Sequence, residues 1–96
     1  MTGIELIAKE RQEQIEKHGH TPESDFQKYK GIRSGELTWA ANAAATAEFG
    51  EFPKRWPNEI CKKIIGKPEI ERLAIACALI AAEIDRLLYI QGNNHK

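Results

Sequence analysis

Arg11, Gln14, Glu36 and Glu83 are polar residues whose spacing from apolar neighbours puts them on helix faces that a small chain would bury. Arg11 and Gln14 continue toward His18 the stripe that Ile4 and Ile7 begin, where a helix packing only for stability would carry more Leu, Ala or Val. Glu36 falls one turn before Ala40 and Ala43, on their face. Glu83 borders the apolar stripe of the last long segment, sharing a flank with Arg72, Ala76, Leu79 and Arg86. A buried charge needs an opposite charge, a hydrogen-bond partner or a ligand. Two arrangements supply one. In the first, Glu36 and Glu83 pair with Arg11, Arg72 or Arg86 in a network that sets helix register. Such networks often stabilise no more than apolar replacements would. In the second, the same groups line a pocket between helices, where bundle proteins usually build their sites. Arg11, Gln14, Arg72 and Arg86 would then hold phosphate or base edges, with Glu36 and Glu83 orienting the cations or accepting from the base. Trp56 would stack on the base.

These residues have to be positioned by helices, because no stretch shows the alternation of a strand. The first helix starts at Thr2, where Thr2-Gly3-Ile4-Glu5 has the capping-box pattern, and runs to about His18 before Gly19. From Gly19 to Ser34 there is no sustained period, although a short turn around Asp25–Tyr29 fits. Ser34 is an N-cap for a second helix from Gly35 to about Phe49, in which Ala40, Ala43, Ala44 and Ala47 form a small-residue face flanked by Leu37 and Trp39. Glu36, in its first turn, also suits the helix dipole. Asn58 is expected to cap a short helix, Glu59 to Ile65, closed by Gly66. The last helix is the spine of the core. It begins near Pro68, ends at Gly92, and carries Ile70, Leu73, Cys77, Ile80, Ile84 and Leu87 as an inward stripe. The expected architecture is an all-α bundle of three main helices plus a short one, spanning residues 1–92, with 93–96 as a frayed tail.

Length and charge narrow the function. A chain of 96 residues is one domain, burying only about 60–65% of its unfolded surface, so a modest core or a homo-oligomer formed through the Ala-rich faces is expected. Fourteen acidic against 14 basic side chains argue against a duplex nucleic-acid binder, which normally has a basic excess. The polar N-terminus lacks the apolar core of a signal peptide, and the run Leu73–Ala82 is too short to span a bilayer. A cytoplasmic location follows as the expectation, with Cys61 and Cys77 read as reduced thiols acting as small core residues.

The remaining chemistry is thin. His18 and His20 flank Gly19 and could bring an imidazole to a site, but a zinc site would need further ligands. There is no Gly-rich phosphate loop and no grouping for nucleophilic catalysis. Trp39, Phe49, Phe52 and Trp56 gather near Lys54 and Arg55, which suits base stacking, a core lid or a subunit interface. Packing is favoured for Trp39.

Four segments in order resemble a family of small bacteriophage and prophage proteins: E-R-Q-E-Q at 10–14, H-G-H-T-P-E-S-D at 18–25, G-E-L-T-W-A-A at 35–41 and A-L-I-A-A-E-I-D-R-L at 78–87. His20 stands where that pattern usually has Trp, and Ser24 where it usually has His. The resemblance implies a phage setting, in the host bacterial cytoplasm, rather than an activity. A weaker resemblance is to the all-α nucleotide pyrophosphohydrolases of the MazG type, which are oligomers holding Mg²⁺ with an E-x-x-E and an E-x-x-D pattern. Glu48 and Glu51 fit the first pattern only at a helix end, and Glu83 and Asp85 are one residue too close for the second. Two residues apart, they stand about 200° apart on a helix and cannot share one metal from the same face.

The function expected from these readings is binding of a small phosphorylated nucleotide, without turnover, by a phage-type protein that sequesters a host signalling or defence nucleotide. The first alternative is Mg²⁺-dependent pyrophosphohydrolysis with Glu36 and Glu83 as metal ligands. The second is a protein-binding adaptor using the Trp39/Trp56 surface.

Overall fold

The computed structural model describes residues 1–18, 36–48, 51–54 and 56–94. Among them are four helices and no strand: α1 (Gly3–His18), α2 (Glu36–Thr46), α3 (Asn58–Ile65) and α4 (Glu69–Asn94). The expectations for His20, Asp25–Tyr29, Ser34, Phe49 and Arg55, and for the imidazole of His18, lie outside the described residues.

Local chemistry explains most helix ends. At the start of α1 the capping box is made in both directions: the Thr2 N–H donates to Glu5 Oε1 at 2.8 Å, and the Glu5 N–H donates to Thr2 Oγ1 at 3.2 Å. The bond from the Thr2 N–H, reinforced by the Thr2 hydroxyl, holds the Glu5 carboxyl below its ordinary value. Helix α2 ends three residues sooner than the expected Phe49, because Ala47 turns into the left-handed region with φ 58°. The Glu48 N–H then donates back to the Ala43 carbonyl at 3.0 Å, the long bond of a Schellman motif. At α3, Pro57 rather than Asn58 occupies the cap position, with no side-chain cap bond, and Asn58 is already helical. Gly92 does not stop α4, which continues to Asn94.

The core lies between α2 and α4. Leu37, Ala40, Ala41, Ala43 and Ala44 of α2 meet Ile75, Ala76, Leu79 and Ala82 of α4, with Phe52, Cys61 and Ile64 closing the cluster. Alanine on both faces lets the two axes approach the near end of the roughly 8–10 Å range for packed helices. The Ala-rich face of α2 is therefore consumed inside the protomer and is not available to an oligomer. Helix α1 packs on α4 as well.

Helix α4 is turned nearly half a revolution from the orientation its sequence suggests. Ile70, Leu73, Ile80, Ile84 and Leu87 are exposed, as are Leu88 and Cys77, while the flank carrying Ala76, Leu79, Glu83 and Arg86 is buried. The expected inward stripe is thus the outward one, and Cys77, unlike Cys61, is not a core residue. The reason is steric. A face of Ala74, Ala78 and Ala82 fits closely against neighbouring helices, whereas a row of Ile and Leu would hold the Ala-lined α2 away. Ile4 and Trp39 are also exposed, so the stripe of α1 begins outside the core and Trp39 does not pack as expected.

Candidate functional site

Among the described residues, four charged or amide residues are buried: Arg11, Gln14, Glu83 and Arg86. All four were candidates from sequence. Arg11 and Gln14 lie one turn apart near the centre of α1, on which Lys9, Gln12 and Glu16 are exposed. Glu83 and Arg86 lie one turn apart on α4, on the face that continues Ala76 and Leu79.

The charges are matched locally. Arg86 Nε donates to Glu83 Oε1 at 2.6 Å and Arg86 Nη2 to Oε2 at 3.2 Å, a forked contact. Arg86 is only 2% exposed. Across the helix interface, Arg11 Nε and Nη2 both donate to Asp85 Oδ2, at 3.2 and 2.9 Å. Asp85 was set apart in the sequence because it points away from Glu83. That divergence is what lets one turn of α4 serve two arginines, with Glu83 held by Arg86 on the same helix and Asp85 reaching α1. The spacing of Glu83 and Asp85 shows that the two carboxylates diverge, but nothing local in the sequence points to Arg11 as the partner of Asp85.

One buried acceptor is unsatisfied. Gln14 Oε1 is buried with no hydrogen-bond donor among the described residues. A buried polar atom without a partner costs about 1–3 kcal/mol, and such atoms are few in native folds. Burial raises the pKa of the half-buried Glu10, reinforced by the nearby Glu13 carboxylate and opposed by Lys67.

The other candidates divide. Arg72 is separated from Arg86 by 14 residues, about 21 Å along α4, and its guanidinium is committed to backbone. Nη1 donates to the carbonyls of Ala44 and Ala45 at 3.0 and 3.2 Å, and Nε to that of Lys67 at 3.3 Å. It closes the last turn of α2, where unpaired carbonyls and the negative end of the dipole favour a cation. With that end held beside the start of α4, Glu36 is carried toward the half of α4 that bears Glu83. Glu36 itself is half-buried. Trp56 packs on the core with its ring tilted 33° to Phe52, centroids 5.9 Å apart, and its Nε1 is buried without an acceptor among the described residues.

No three His, Cys, Asp or Glu side chains among the described residues are grouped to hold a metal ion. A surface depression of about 490 Å³ on α3, lined by Glu59, Ile60, Lys62 and Lys63, involves none of the candidate residues. Among the described residues no helix is long and apolar enough to cross a membrane. The chain matches no protein-family model, no curated protein and no solved structure.

Proposed function

We propose that the chain binds a small phosphorylated nucleotide through the buried polar residues Arg11, Gln14, Glu83 and Arg86, together with Glu36, and holds it without turnover. The observation that carries this reading is the orphaned Gln14 Oε1, one turn along α1 from Arg11, whose guanidinium bonds Asp85 across the α1–α4 interface, while Arg86 holds Glu83 within α4. An unpaired carbonyl calls for a donor, and the exocyclic amine or ring N–H of a nucleobase supplies one. Guanidinium groups carry five N–H donors in a planar fork, which is the geometry that receives phosphate oxygens. Arg72 is a helix-closing residue in this reading and is left out of the contact set. The segment-by-segment resemblance to small phage proteins supports the further step that the nucleotide is a host signalling or defence molecule, removed from use by sequestration.

The test is to incubate the protein with a panel of linear and cyclic nucleotides, with and without Mg²⁺, remove unbound material, denature, and identify what is released by mass spectrometry. Recovery of an intact nucleotide is the expected result. Pyrophosphate and a shortened nucleotide would replace the proposal with hydrolysis. Absence of uptake from the whole panel would overturn it and favour an adaptor, a second reading for which the exposure of Trp39, at 48%, is the specific support. Gln14→Leu gives an independent check. If the amide serves the ligand, this variant loses uptake yet melts at least as high as the native chain, since it removes an unpaired buried polar atom. A variant that keeps full uptake removes Gln14 from the site.

A further inference from the structure

The exposed stripe on α4 has the register of a two-helix seam. Ile70, Leu73, Cys77, Ile80, Ile84 and Leu87 follow one another at steps of three, four, three, four and three, the alternation that keeps a face toward a partner helix. The five large residues among them are 43–67% exposed, and Leu88, at 58%, widens the stripe at its far end. The seam runs 17 residues, about 25 Å along the axis. We infer that α4 packs along this stripe against α4 of a second copy of the chain.

Two observations favour a second copy over another occupant. The first is the bordering chemistry. Identical helices bring identical flanks together, so a charged border would repel. Here the exposed stripe is bordered by Ala81 and Leu88, with Glu69 at one end, while Ala74, Ala76 and the Glu83–Arg86 pair beyond it are buried within the protomer. The second is area. A whole Ile or Leu residue presents on the order of 180 Å², so six that are about half exposed offer on the order of 500 Å² per protomer. That is about 1,000 Å² across two copies, the threshold of a specific interface. The surface expected to join protomers, the alanine face of α2, is internal, and the bulky face of α4 takes that role. This inference does not rest on nucleotide binding.

Sedimentation equilibrium or light scattering of the full chain at tens of micromolar is expected to give at least twice the 10.8 kDa chain mass. The double variant Ile80→Lys/Ile84→Lys, changed only at positions exposed in the protomer, is expected to fall to the single-chain mass with its far-ultraviolet helical signal retained. Ile60→Lys, exposed on α3 away from the seam, keeps the native mass. Cys77 supplies a second readout that survives any loss of solubility in the variant. Its maleimide labelling is slower in the native chain than in Ile80→Lys alone. A native chain that runs at single-chain mass, or a double variant that keeps the native mass, overturns the inference. So does equal labelling of Cys77 in the native chain and Ile80→Lys.

Discussion

Glu83→Leu is the perturbation with the largest calculable effect. The substitution removes the carboxylate that holds Arg86 at 2.6 and 3.2 Å, in a place where Arg86 is 2% and Glu83 7% exposed. A guanidinium cannot escape by losing its proton, so the charge stays buried. Breaking a buried pair from one side costs about 3–5 kcal/mol. Arg86 keeps further contacts, which places the expected loss near the lower figure, about 3 kcal/mol. For a domain of this size each kilocalorie moves the melting temperature by about 4–8 °C, so the drop is about 12–24 °C. Glu83→Leu combined with Arg86→Met removes both charges and should return stability to within about 1 kcal/mol of native, or exceed it. The assay is urea unfolding followed by circular dichroism for the native chain, both single variants and the double variant, at one fixed protomer concentration because association would shift the midpoints. A Glu83→Leu loss under about 1 kcal/mol would refute the argument, since that is the worth of a solvated surface pair. The double variant also separates structure from function: recovered stability without nucleotide uptake assigns the pair to the ligand, whereas retained uptake confines it to helix register.

Three further outcomes follow from the same contacts. Arg72→Met removes the donors to the Ala44 and Ala45 carbonyls and should cost about 1.5–3 kcal/mol in the same unfolding assay, with nucleotide uptake by the folded protein unchanged. Ala47→Gly should stabilise by about 1 kcal/mol, because a left-handed φ costs an L-residue about 1–2 kcal/mol and glycine gives part of that back in chain entropy. A lower melting temperature for this variant would mean that the turn is not held as described. Glu10→Gln tests a raised carboxyl. The folded chain binds that proton more tightly than the unfolded one, so the penalty is absent below the unfolded value near 4.5, grows as pH rises through the folded value, and is complete at neutrality. The variant should therefore be more stable than the native chain at pH 7, with the difference gone at pH 4.

Much of the candidate site was legible before any coordinates because it depends on position along single helices. Arg11 and Gln14 interrupt an apolar stripe and Glu83 and Arg86 share a flank, so helical period pairs them one turn apart, although Glu83 and Arg86 are buried only because α4 turns that flank inward. Arg72 lies on that same flank, yet it serves a backbone terminus. Its target, the end of α2, is 27 and 28 residues away and becomes visible only when the two helices pack. Asp85 was passed over for the opposite reason. Its partner Arg11 is 74 residues distant, and nothing in local spacing joins them.

The amino-acid sequence by itself determined that this protein is helical, where α1 begins, and which polar residues would have to be accommodated between helices, since propensity, capping and period are local properties of the chain. Which face of α4 became the core was decided only by tertiary structure. Both faces of that helix can be buried, one rich in Ile and Leu, the other in alanine with an arginine and a glutamate. Hydrophobicity favours the first. Shape favours the second, because α2 presents alanines and only another small-residue surface lets the two backbones meet without a void, while the Glu83–Arg86 fork removes the charge that would have opposed it. The consequence is a spine that turns its bulkiest residues outward.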